Sequence, residues 1–196
     1  MEKKFSLLKN KTIFSNNCLA SFIYQDLKVE YLSPTIGVQI PIIDFCKFCK
    51  NVSHYVKQNL IEGDSKDFET VFKNVGGDNI NFPCAFLSDI KIMFQHEKTF
   101  EEAKEKWARR LLRIKKDTIV IMWVHSFELC PNLINQINSI IFKKIILTDC
   151  KKMIENDDWY FLKIPKGKEW WQQDKNGIRY FEKLNWRKIL KERITR

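Results

Sequence analysis

"TIFSNNCLASFIYQDL" (residues 12–27) is the stretch from which the fold can be read. Thr12 to Ser15 has the apolar character of a short strand, and Leu19 to Leu27 has helical spacing. Between them stand small polar residues and a thiol, Ser15-Asn16-Asn17-Cys18. These make poor core, yet a strand-to-helix turn is where open α/β sheets collect their ligands. Either this is an ordinary turn with a buried cysteine, or Cys18 is a nucleophile.

Working outward, apolar runs and helical patterns keep alternating, which predicts an α/β fold. Thr35 to Ile40 reads as a second strand and Ile42 to Val56 as a helix; 61–81 reads as a polar connector with a short helix before Gly76-Gly77. Ile90 to Gln95 is a strand with His96 at its end. Thr99 then opens a helix with Glu102 three residues on, a capping box. Thr118 to Val124 is a continuous apolar run suited to a central parallel strand. Pro131 starts another helix, Lys143 to Thr148 and Trp159 to Ile164 read as strands, and 183–195 reads as a basic amphipathic helix. The expected architecture is three-layered, a mostly parallel sheet with helices on both faces, in a single domain over 1–196.

The net charge of +10 is unevenly placed. Residues 1–97 hold 11 lysines and 11 acids, whereas 98–196 hold 23 lysines and arginines against 13 acids. A basic half suits an anionic partner or serves solubility alone. No apolar run approaches the roughly 20 residues of a membrane span, and the N-terminus lacks the apolar core of a signal peptide. Six cysteines in such a chain read as reduced thiols, and the expected compartment is the cytoplasm. Nucleic acid is not expected, because no recognition motif accompanies the charge.

Unpaired N–H groups at a helix start favour an anion, so a thiolate at Cys18 would have a lowered pKa, making it the most reactive of the six. The same amides would suit an oxyanion. Of the three histidines, His96 is the expected base, lying at the same sheet edge if its strand runs parallel to the first; His125 is the fallback. Asp89 is set aside as the group orienting His96, since seven strand residues separate them by about 23 Å and place them on opposite faces. Asn16, Asn17, Asp26 and Asp149 stay open for that role. Cys46-Lys47-Phe48-Cys49 is a lone CxxC without further ligands, so no metal is expected. Arg109, Arg110 and Arg113 form a basic segment able to grip phosphates.

The segments 15–48, 87–117 and the strand Ile119 to Val124 resemble the bacterial exopolysaccharide-biosynthesis family known as domain of unknown function 1919. The likeness falls on Asn17-Cys18, Tyr24 and Ser33-Pro34-Thr35; His96-Glu97 stands where that family has a His-Tyr pair, and Met93 replaces a histidine common there. A more distant likeness is to bacterial papain-like cysteine peptidases, which share an Asn-Cys turn and a Phe-x-His strand end. These resemblances imply capsule or exopolysaccharide assembly, with Cys18 and His96 as a catalytic pair for acyl transfer to a sugar. Acetyl-CoA would be the acyl donor. Asn16, Asn17, Tyr24, Arg109, Arg110 and Arg113 would face the substrate, a sugar nucleotide or lipid-linked glycan, with peripheral contact to an anionic membrane through the basic helix. The alternatives are a glycosyltransferase relying on Asp26, Asp89 or Asp149, and a non-catalytic scaffold.

Overall fold

The computed structural model describes residues 4–74 and 79–194. Its centre is a parallel sheet of four strands in the order β1-β5-β6-β7, formed by β1 (Thr12–Phe14), β5 (Thr118–Val124), β6 (Lys143–Thr148) and β7 (Trp159–Phe161). Period-two alternation sends its side chains into two separate cores. Ile13, Ile119, Ile121, Trp123, Ile145 and Leu147 enter one, with α1 (Leu19–Leu27) and α7 (Trp186–Ile194) packed on it. Phe14, Val120, Met122, Val124 and Ile146 enter the other, against α2 (Ile42–Lys50), α5 (Phe100–Leu111) and α6 (Pro131–Asn138). Helices therefore cover both faces, as the alternating pattern predicted.

A second, antiparallel sheet joins β2 (Leu60–Gly63), β3 (Cys84–Leu87) and β4 (Ile90–Met93). It packs Ala85, Leu87, Ile90 and Ile92 onto the α2 side. Ser88 and Asp89 close its β3–β4 hairpin, and Ser88 takes a left-handed backbone (φ 58°) that such tight turns demand. This sheet departs from the sequence reading. The strand ending before His96 belongs here and not to the parallel sheet, because β3 offers it a partner within the same hairpin. The 61–81 connector includes the end of β2 and the short α4 (Glu69–Asn74), while Gly76-Gly77 lie outside the described residues.

Two further differences have local causes. The expected helix over 42–56 breaks at Asn51, whose backbone (φ −141°, ψ 53°) ends α2 before α3 (Val52–Tyr55) begins. The expected strand at 35–40 is a strap between the sheets. Gln39 bridges Met93 through N–H···O contacts of 2.8 and 2.9 Å, while the Ile40 N–H donates to Asn16 O at 2.9 Å. Thr99 and Pro131 do open helices: Thr99 Oγ1 accepts from Glu102 N at 3.2 Å, and Pro131 stands in the first turn of α6. In α7 the apolar residues Trp186, Ile189 and Leu190 are buried in the core, so the helix's apolar face is already covered.

The buried polar turn after β1 is tied to β5 by one side chain. Asn16 Nδ2 donates to Trp123 O at 2.9 Å, and its Oδ1 accepts from Trp123 N at 3.1 Å. The β1–β5 pairing itself stops at Phe14 and Val120, so the amide imitates a further strand residue. Asn16→Ala would strand both backbone groups in a buried setting, at a cost of about 2–4 kcal/mol. Urea denaturation should show that loss as a lower midpoint with an unchanged slope.

Candidate active site

Cys18 stands at the N-terminal cap of α1 because the three preceding residues are held on every side. Asn17 Oδ1 accepts from Leu19 N at 3.0 Å and from Ser15 Oγ at 3.4 Å, while Ser15 N donates to Thr35 Oγ1 at 3.0 Å. Ser33 Oγ in turn contacts Thr35 Oγ1 at 3.0 Å. All five of these polar residues, Ser15, Asn16, Asn17, Ser33 and Thr35, are buried, which is tolerable because each is hydrogen-bonded. The small polar residues of the turn are thus a rigid support for the thiol.

His96 reaches the thiol from the other sheet. Three residues after the Gln39–Met93 bridge, its Nε2 lies 3.1 Å from Cys18 Sγ. Gly37 packs beneath the imidazole. A Cβ there would lie 3.2 Å from His96 Cδ2, and the left-handed backbone of Gly37 (φ 72°) is itself one that favours glycine. The two side chains open onto a cavity of about 710 Å³ that is also lined by Glu97, Lys106, Arg110, Trp123 and Trp170.

The electrostatics run opposite to the sequence expectation. Burial first, and then the Glu97 carboxylate, push the Cys18 thiol up to about 11. The first helix amide does not offset this, because Leu19 N–H is spent on Asn17, and for the same reason it is not the donor expected for an oxyanion. At neutral pH the thiol is protonated, with the His96 ring nitrogen Nε2 in hydrogen-bond contact with it. Among the described residues, none supplies a hydrogen bond that orients the other ring nitrogen of His96. Asp149 belongs elsewhere: it accepts from Ser126 N at 2.6 Å and lies 3.9 Å from Nδ1 of His125.

The other residues singled out by sequence are scattered. Asn16 and Asn17 line the cavity but serve mainly as scaffold. The Tyr24 hydroxyl donates to Lys11 O at 2.8 Å and accepts from Ile13 N at 3.0 Å, pinning α1 to β1 away from the cavity. Arg110 reaches the cavity wall, donating to Ile36 O at 2.7 Å with its guanidinium over the Tyr31 ring. Arg113 pairs with Glu30 at 2.7 Å, and neither it nor Arg109 lines the cavity. Asp89 accepts from Tyr55 and Lys47, Asp26 is exposed, and neither lines the cavity. Cys46 and Cys49 are buried in the core. Sequence reasoning passed over Glu97, Trp170 and Trp171, whose one visible signal was the step from His96 straight into a carboxylate.

The family described as Domain of unknown function (DUF1919) matches residues 1–188. The chain belongs to this family. It is also similar to an uncharacterized protein of Haemophilus influenzae, 28% identical over 138 residues, which is 70% of this chain and 61% of that protein. The chain thus matches less than two thirds of that relative's length, and neither comparison carries a reaction with it.

A thiol held up by burial and Glu97 makes a definite pH profile. Alkylation of Cys18 by iodoacetamide, followed by peptide mass spectrometry, should rise about tenfold per pH unit above neutrality and level off only near pH 11. Glu97→Gln removes the repelling charge and should move the plateau to lower pH. A rate already at its plateau near pH 7 would instead mean a preformed thiolate–imidazolium pair.

Proposed function

We propose that this protein is a cysteine-dependent acyltransferase of cell-surface polysaccharide assembly, acting in the cytoplasm on a sugar precursor. The observation that carries the reading is the 3.1 Å contact between Cys18 Sγ and His96 Nε2 at a cavity large enough for a small substrate. The sugar and the pathway rest on the family resemblance.

The chemistry starts from a protonated thiol beside an imidazole. As Sγ attacks the carbonyl of a thioester such as acetyl-CoA, its proton passes to Nε2. Collapse of the tetrahedral intermediate breaks the C–S bond to the leaving thiolate, which takes the proton back from the imidazolium. An acceptor hydroxyl then gives its proton to Nε2 as its oxygen attacks the Cys18 thioester. The second collapse forms the sugar ester, and the departing Cys18 sulfur recovers the proton. His96 serves as base and then acid in each half.

Arg110 is the arginine placed to meet an anionic part of the donor, with Arg109 and Arg113 available only to groups extending beyond the cavity. The basic half would meet a lipid-linked carrier or an anionic membrane through side-chain charge, since α7 spends its apolar face on the core. The glycosyltransferase alternative draws no support from Asp26, Asp89 or Asp149, none of which lines the cavity.

Incubation with acetyl-CoA or a simple acyl thioester should leave one acyl group on Cys18, detected by intact-protein and peptide mass spectrometry. Cys18→Ala should abolish the adduct, and His96→Ala should slow its formation by about 10²–10⁴-fold. Acylation that persists in Cys18→Ala would end the proposal.

A further inference from the structure

Because the four strands of the central sheet are parallel, the loops that leave their C-terminal ends gather along one edge, around the cavity mouth. The Cys18 turn follows β1, residues 125–130 follow β5, 149–154 follow β6 and 162–179 follow β7. Direct contacts tie these loops together. Asp149 Oδ1 accepts from Ser126 N at 2.6 Å, and Leu162 N donates to Thr148 O at 2.8 Å. The Phe127 ring stacks on His125 at 4.8 Å, and His125 meets Trp123 edge-on at 5.3 Å. Trp123 in turn lies 6.2 Å from Trp170, the chain neighbour of Trp171. His125 and Trp171 both line the cavity.

Two large rings protrude at this edge: Phe127 is 66% exposed and Trp171 is 48% exposed. Around them stand the exposed lysines Lys151, Lys152, Lys163, Lys166, Lys168 and Lys175, none of which lines the cavity. None of their ammonium groups has an ion-pair partner among the described residues. The carboxylates of the same loops are mostly engaged. Asp149 accepts from Ser126 N, Glu128 accepts from His125 N at 2.9 Å, and Asp174 pairs with Lys183 at 2.7 Å. Glu169 is the one exposed carboxylate within 125–130, 149–154 and 162–179.

We propose that this edge is a docking face for an anionic lipid bilayer, with Phe127 and Trp171 entering the headgroup region and the six lysines drawn to the negative lipids. Aromatic rings beside unpaired lysines have the chemistry of an interfacial anchor, apolar in the part that enters and positive in the part that stays in water. A nucleic acid would call for arginine forks and a recognition element, whereas all six cations here are lysines. The contact does not run through α7, whose apolar residues are already in the core. Docking by this edge turns the cavity mouth, and with it Cys18, toward the bilayer surface. A lipid-linked acceptor would be held there, a consequence that rests on the transferase reading, whereas the docking itself rests on the fold.

The full chain would be sedimented with phosphatidylcholine vesicles that contain or lack phosphatidylglycerol. Binding to the anionic vesicles is expected at low salt, with none to the neutral ones and release at about 1 M salt, where charges act over only about 3 Å. Lys166→Glu with Lys168→Glu should weaken it at least about tenfold, and Phe127→Ser or Trp171→Ser about fivefold. Lys9 and Lys116 are exposed just before β1 and β5, at the opposite edge of the sheet. Lys9→Glu with Lys116→Glu changes the net charge equally and should leave binding within about twofold. A thermal melt confirms that each variant is folded. No sedimentation with anionic vesicles, equal losses from the two lysine pairs, unchanged binding in both ring variants, or retention by a DNA duplex in place of vesicles overturns the docking face. Vesicle binding without acylation of Cys18 by thioesters would remove the transferase reading alone, and acylation without vesicle binding would remove the docking face alone.

Discussion

The paired hydrogen bonds between the Asn16 side chain and the backbone of Trp123 are the constraint on which the rest of the site depends. β1 is only three residues long, and a strand that short has little pairing of its own to hold the thiol turn in place. The amide extends the strand's grip on β5 past the last regular pair. It also leaves the Asn16 carbonyl free to accept from Ile40, and so ties in the strap. One asparagine thus couples the parallel sheet, the strap and the thiol turn. A hydrophobic residue there would pack but leave two buried backbone groups of β5 unpaired.

The strap is the second requirement, because Cys18 and His96 come from different sheets. Residues 33–40 bond to the turn through Thr35 and Ile40, to β4 through Gln39, and press Gly37 against the imidazole. The contact between sulfur and nitrogen is therefore set by backbone hydrogen bonds on both sides. Such positioning is worth more to a reaction than the intrinsic reactivity of either group.

Electrostatics assigns the work between them. A thiol made less acidic by burial and Glu97 is inert until a base takes its proton, and the nearest base is His96. A carboxylate beside the sulfur disfavours the thiolate, so Glu97 works with burial to keep the resting thiol neutral. The large net charge of the chain has little part in this, since most of it lies away from the cavity.

The layered α/β arrangement was legible because it rests on periodicity. The continuous run Thr118 to Val124 had to be buried on both faces, and the capped helix at Thr99 and the proline start at Pro131 are local signals with local causes. The strand-turn-helix with a thiol at its cap was legible for the same reason, as was the candidacy of His96 at a strand end. The sequence did not determine which sheet carries that histidine, because strand pairing is a contest among distant partners. Nor could it show that 35–40 would act as a strap, since an extended segment looks alike in either role. The acidity of Cys18 lay wholly with the tertiary structure: a helix start argued for a lowered pKa, but burial and the folded position of Glu97 outweighed it, and neither exists until the chain has closed around the thiol.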